Sequence, residues 1–524
     1  MVVGEMIKKL RIREKLSQED FASLFSVSRQ AVQKWENGIS TPDISKLVEI
    51  SKHFDISLDM LVLHHDNRLT EALSYNKEMK PQYDTIPNWE FYSSDLLVEY
   101  EQSCEEGLDI EHYKDLFLSV SKLPKSEIKK KLGDVIFEII SSSPMKADYK
   151  YIEPSDLGSI RELCRSYPVK STKLSQKVLE DKISAAWYGR ICGCMLGKTV
   201  EGIRTNELVP FLKETGNYPM HRYILKKDLT DEICGKYNYP LKNRYYADEI
   251  DGMPVDDDTN YVVLAQLIIE KYGRDFSPYD VSRAWLAYQP KDAYCTAERV
   301  AFCNFVKGFV PPQSAVYKNP YREWIGAQIR GDYFGYINPG KPELAAEMAW
   351  RDASISHVKN GIYGEMFAAA MIATAAMTDN MEDIILSGLS QIPETSRLYE
   401  AVMQVLDGYR NGVLQDECFE QIHKKYDEYT SHGWCHTISN AMIVAASLLY
   451  GGGDFGKSVC MAVQTGFDTD CNGATVGSVI GMSKGMNGIP KVWTDPIKNT
   501  LHTSIFGIGT VKISDRVKQT MQHI

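Results

Sequence analysis

The sequence has no apolar run long enough to cross a bilayer. A membrane helix needs about 20 apolar residues. The two most apolar stretches, MFAAAMIATAAM (366–377) and AMIVAASLLY (441–450), are shorter and are expected as buried helices. The charged N-terminus MVVGEMIKKLRIREK carries no apolar core of signal-peptide type. Cysteines number eleven, none in a CxxC pair, and the closest two are Cys192 and Cys194. This excludes a disulfide framework and a CxxC zinc site, and it fits reduced thiols. An excess of positive charge is also missing. The net charge of −11 argues against a chain that binds polyanions as a whole. Strand patterns are scarce. The expected product is an all-α, cytoplasmic protein.

What is present is length and a core. With 524 residues, 44% of them hydrophobic, the chain should form two or three domains. Residues 1–65 read as a series of five short helices. Ser17 can cap SQEDFASLF, with Asp20 at the third helical position as a weaker form of the capping box. After the turn SVS, Ser28 can cap SRQAVQKWENG, which stops at Asn37-Gly38. Thr41-Pro42-Asp43 opens a fourth helix, and SLDMLV closes the unit. Two helices joined by a three-residue turn fit a helix-turn-helix. Residues 66–175 read as a helical spacer or dimerisation segment, with helices expected near 93–106, 109–122, 125–141 and 155–166. Ser93 or Ser94 should cap the first of these, and Lys129–Lys131 should form a solvated face. Residues 176–515 show helical periodicity throughout, with a polar insertion near 217–250.

Two acidic stretches in this large domain carry chemistry. In GMPVDDDTNYVVLAQLIIEKYG, Asp256, Asp257 and Asp258 are consecutive and precede a helix. Capping accounts for one of the three. Three adjacent carboxylates repel unless a cation neutralises them, and a hard divalent ion is the usual remedy. In TGFDTDCNGATVGSVIGMSKG, Asp468 and Asp470 again precede a helix. Gly473, Gly477, Gly481 and Gly485 then recur every four residues. Glycine costs about 1 kcal/mol per interior helix position relative to alanine, so the stripe needs a reason. Close helix packing, bringing one acidic helix mouth to another, supplies it.

These motifs carry two resemblances. LSQEDFA, VSRQAVQKWENG and PDISKLVEISKHFDISLDML resemble the lambda-repressor/Cro-like helix-turn-helix family. That resemblance implies DNA as a partner, a homodimer, and Gln18, Arg29, Gln30, Gln33 and Lys34 as groups reaching DNA. Arginine suits guanine edges and glutamine suits adenine. Residues 1–65 nevertheless hold nine basic and nine acidic residues, so a strongly basic footprint is missing.

GRICGCMLGKTVEG, VDDDTN, DASISHVKNGIYGEMFAAAMIA and GFDTDCNGATVGSVIG, in that order, resemble the ADP-ribosylglycohydrolase family. That resemblance implies an all-helical fold holding two magnesium ions, with manganese as an alternative, and cleavage of the bond between ADP-ribose and its acceptor. Carried over by motif, Asp257, Asp258, Asp468 and Asp470 are metal ligands, and Asp256, standing where a ligating threonine is common, is expected as a fifth. Asp257 and Asp258 serve catalysis through the metals, and Glu201 is a gate or acid/base. His357, Gly326, Arg330 and Asn472 would hold substrate. Cys471 departs from the family's hydroxyl residue, and a thiol is a poor magnesium ligand. The alternative is a transcriptional regulator whose C-terminal domain senses ADP-ribose or a related nucleotide without turnover.

Overall fold

The computed structural model describes residues 2–63, 81–168, 172–237 and 244–524. It divides into two compact units, Met1–Tyr83 and Asp84–Ile524. Residues 64–80, which hold the start of the spacer read at 66–175, lie outside the described residues.

In the first unit the five helices are α1 (Val2–Arg13), α2 (Gln18–Leu24), α3 (Arg29–Glu36), α4 (Ile44–His53) and α5 (Leu58–Leu63). Ser17 and Asp20 close a full capping box, each side chain accepting from the other's backbone amide. The acid at the third position is thus as effective as a longer one. Ser28 and Asp43 cap α3 and α4. Ile7, Phe21, Val32, Ile50 and Leu61 are fully buried between the helices.

The second unit begins with residues that pack on the large domain. Its early helices are α6 (Leu96–Glu105), α7 (Lys114–Ser121), α8 (Glu127–Ser142) and α9 (Leu157–Glu162). Two local expectations fail here. Ser93 and Ser94 lie in a 3-10 turn, and Asp95 takes the cap position without a side-chain bond. Lys129 is buried, its ammonium donating to the carbonyls of Ser121 (2.8 Å) and Leu123 (2.7 Å) that end the preceding helix. A lysine placed one helical turn past orphan carbonyls is drawn inward to satisfy them.

Polar side chains of α6 and its C-cap Glu106 then meet those of the large domain. Arg322 donates to Glu99 (2.8 Å) and Glu106 (2.5 Å), and Gln102 donates to Glu323 (2.6 Å). Arg397 is shared between Glu323 and Glu153, at 2.7 and 2.9 Å. Residues 84–168 are therefore bound to the large domain by a buried polar network.

The helices that position the site are α10 (Gln176–Lys198), α11 (Asp257–Tyr272), α12 (Thr296–Val306), α13 (Pro342–Ala353), α14 (Lys359–Ala375), α15 (Arg397–Arg410), α16 (Ser431–Cys435), α17 (Thr437–Gly451) and α18 (Thr469–Lys484). Further helices surround them. Among the described residues the only sheet is an antiparallel pair, β1 (Thr500–His502) with β2 (Thr510–Lys512). α14, α17 and α18 are buried along nearly their whole length.

The glycine stripe of α18 packs on α10, which carries a matching stripe. A Cβ on Gly189 would lie 2.1 Å from the Gly477 carbonyl oxygen, and one on Gly481 would lie 2.1 Å from that of Ala185. The partner is thus the helix leading to Glu201, not the helix behind Asp256–Asp258. Gly485 leaves the stripe: it ends α18 at φ 72°, a left-handed position that favours glycine.

Candidate active site

Three chain segments converge. α10 ends at Lys198 and delivers Glu201 in the next turn. α11 opens on the three aspartates. Asp256 is its N-cap and accepts from the Asp258 amide at 2.9 Å, so capping explains one of the three. The third segment, Thr465–Asp470, turns sharply: Gly466 and Phe467 both have positive φ, 76° and 59°. A phenylalanine held there costs energy. The fold fixes it by burying the ring completely and by a hydrogen bond from the Trp434 indole to the Phe467 carbonyl. Asp468 stands at the cap position of α18 but makes no cap bond. Its carboxylate is left for another role.

The close packing of α10 on α18 brings these mouths together. Ligand-capable atoms of Asp258, Asp470 and Cys471 all lie within 4.8 Å of one another, as do those of Cys194, Asp256 and Asp258. Asp258 belongs to both groups and is fully buried. Two cations face the cluster. Arg190, one turn from Cys194 on the same helix, donates to Asp258 (2.9 Å) and pairs with Asp332 (2.8 Å). Lys198 bonds Asp256 at 2.6 Å.

The electrostatics follow from burial and like charge. Burial and then Asp256 push Asp257 up to about 6. Burial, with Glu201 and Asp258 adding, pushes Asp468 up to about 7. Burial, then Asp468, Asp256 and Asp258, raises Asp470 well above the usual carboxylate range. Glu201 is raised chiefly by the charge of Asp470, then by burial and Asp256. Six acids face two bases. Asp258 Oδ2 and Asn472 Oδ1 are buried with no partner. An acidic, oxygen-lined cluster with orphaned acceptors fits a divalent cation.

Of the remaining predicted residues, Arg330, His357 and Asn472 are buried and Gly326 is half-buried. Gly326 makes room for Glu298, whose carboxylate oxygen would sit 1.9 Å from a Cβ there. Arg330 is buried and pairs with Glu298 (3.0 Å), Asp352 and Glu365 (3.4 Å). Burial, opposed by Arg330, raises Glu298 to about 7. His357 is 1% exposed, bonds Ser356 at 2.9 Å, and is held well below the usual histidine range by burial and Arg330. Asn472 donates to Asn440 (2.8 Å), whose oxygen also accepts the Asp468 amide (3.2 Å). Sequence reasoning missed Arg190, Lys198, Glu298 and Asn440. An arginine inside a glycine-striped helix was a legible signal, since such a charge needs a buried acidic partner.

In the first unit, Arg29, Gln30, Gln33 and Lys34 are exposed along α3. Gln18 is half-buried and donates to Glu36 at 2.8 Å, beside the Arg11–Glu36 pair.

Residues 175–522 match the family model described as ADP-ribosylglycohydrolase. The chain belongs to the ADP-ribosylglycohydrolase family. Residues 7–61 match the model described as helix-turn-helix. The chain is similar to the HTH-type transcriptional activator BcrR of Enterococcus faecalis, 36% identical over 87 residues, 16% of this chain and 42% of that protein. It is also 36% identical over 64 residues to the uncharacterized HTH-type transcriptional regulator YqaE of Bacillus subtilis (strain 168), 12% of this chain and 55% of that one. The chain thus spans about half the length of these relatives. A solved structure titled ADP-ribosylglycohydrolase-related protein complex is similar at TM-score 0.41 and 17% identity, over 66% of this chain and 98% of that one. This glycohydrolase-family chain therefore joins a hydrolase-type domain to a helix-turn-helix module. Among the described residues no helix is long and apolar enough to cross a membrane.

Proposed function

We propose that the chain is a magnesium-dependent hydrolase of the bond between ADP-ribose and an acceptor, carried on a DNA-binding module. The observation that carries this reading is the meeting of Asp258 and Asp470 from distant segments, with Glu201 charge-coupled to Asp470. Asp257, Asp258, Asp468 and Asp470 would hold the ions. Asp256, whose oxygens already serve the Asp258 amide and Lys198, orients the loop and contributes charge.

Bound magnesium would orient ribose hydroxyls and lower the pKa of a water. Arg190 fixes the Asp258 carboxylate from behind. Asn440 and Asn472 hold the Asp468 turn. Glu201, beside Asp470 and Asp256, can donate a proton to the departing acceptor. A cavity of about 500 Å³, bounded by Tyr245, Tyr246, Val255 and His502, would offer room for the acceptor. Lys198 lies 5.8 Å from the Tyr245 ring centroid.

Calorimetric titration of ADP-ribose with magnesium, then with chelator, tests the site. Magnesium-dependent binding, lost in Asp470→Ala, is expected. It should be followed by release of ADP-ribose from modified substrates. A second reading, ligand sensing without turnover, is favoured by the Lys198–Asp256 pair, which gives part of the cluster a resident cation. In that case ADP-ribose binds, no product forms, and DNA affinity shifts with ligand.

A further inference from the structure

The aspartates of the acidic centre each have a thiol beside them. Cys194 groups with Asp256 and Asp258, and Cys471 groups with Asp258 and Asp470. Cys435 Sγ lies 3.9 Å from Asp468 Oδ2, and the Cys295 thiol bonds Asp257. Four cysteines spread from 194 to 471 in sequence thus converge on one site. A buried cysteine usually behaves as a small hydrophobe. These four instead face carboxylates, where S–H is a weak donor.

Two further observations point to a ligand. Asp258 Oδ2 is fully buried and has no partner, while its other oxygen is fixed by Arg190 at 2.9 Å. Asn472 Oδ1, one residue from Cys471, is also buried and unpartnered. Cys471 sits in the first turn of α18, directly after Asp470. The two thiol-bearing groups differ. In the first, Lys198 already occupies Asp256. In the second, among side chains whose contacts are described, no cation bonds Asp470.

The other histidine-rich cluster, Glu105, His432 and His436, is a weaker metal candidate. Its two ring nitrogens already face a carboxylate: His432 Nε2 and His436 Nε2 lie 3.3 and 3.6 Å from Glu105.

We propose that Asp258, Asp470 and Cys471 form a mixed oxygen–sulfur site for a thiophilic divalent cation of the zinc class. The thiol gives up its proton to solvent, and the thiolate sulfur bonds the ion. This rests on the metal-dependent reading above and refines it. Magnesium selects oxygen, whereas a thiolate selects zinc-class ions. Such an ion competes with magnesium for Asp258 and Asp470.

The test is a cobalt titration of the full-length, chelator-treated protein. A near-ultraviolet thiolate-to-cobalt charge-transfer band is expected. Zinc should displace it, and excess magnesium should not. Cys471→Ser should lose the band, while Cys194→Ser and Cys435→Ser should keep it. Absence of the band in the wild type, or its survival in Cys471→Ser, overturns the proposal. Should Cys471→Ser fail to fold, Asp470→Asn is read instead, and an unchanged band and cobalt affinity there also overturns it. Magnesium-dependent ADP-ribose binding, measured on the same samples, separates the two readings. A cobalt band without that binding supports the thiolate site and removes the hydrolase reading. That binding without a band does the reverse.

Discussion

Gly193 and Gly473 face each other so closely that a Cβ on Gly193 would lie 1.9 Å from the Gly473 carbonyl oxygen. This contact, repeated along α10 and α18, places Asp470 within reach of Asp258. The site depends on the absence of two side chains that are not themselves part of it.

Gly193→Ala should therefore destabilise the second unit by about 3 kcal/mol or more, the upper end for overpacking, because the obstructing atom is backbone. Gly408→Ala makes the opposite case. Gly408 lies in α15, and its Cβ would meet Val413 at an ordinary 3.7 Å. It should stabilise by about 0.4–1 kcal/mol. Urea unfolding midpoints compare the two, and equal signs would contradict the packing account.

Arg190→Ala leaves Asp258 and Asp332 buried without their cation. A loss of about 3–5 kcal/mol is expected. Arg190→Lys should not restore it, since a single ammonium cannot span both acids and the Ile329 carbonyl that Arg190 also serves. Thermal unfolding of the three proteins decides this.

Glu105 is raised by burial, but the hydrogen bond and charge of His432 and the charges of His436 and Arg397 outweigh that and hold it at about 2. Its folded value is below its unfolded one. The stabilisation is thus complete above about pH 4.5 and is lost as pH falls toward 2. With its side chain 42% exposed, solvent screening limits the effect to about 1 kcal/mol. Glu105→Gln should be less stable than wild type at pH 7, and the gap should close in acid. A gap that stays constant from pH 7 to pH 2.5 would rule out this pairing.

Arg29→Ala and Gln33→Ala should weaken sequence-specific DNA binding by about 1–3 kcal/mol each, because both side chains are exposed on α3. Gln18→Ala should instead lower the stability of the first unit through its lost bond to Glu36. Footprinting on DNA selected from a random pool, beside thermal melts, distinguishes the two effects.

The sequence by itself determined the helical class, the five-helix N-terminal unit with its caps, and the two acidic helix mouths. These depend on local patterns: period, capping residues and glycine spacing act within a turn or two. Only the tertiary structure decided what those patterns meet. It paired the glycine stripe of α18 with that of α10, placed Arg190 on Asp258 and Lys198 on Asp256, and drew Lys129 inward. It also put Arg330, Gly326 and His357 in a buried layer with Glu298, and gathered four scattered cysteines round one acidic centre. The physical reason is that buried charge and close backbone contact are satisfied by partners far away in sequence, 280 residues in the case of Gly193 and Gly473, and no local pattern encodes that distance.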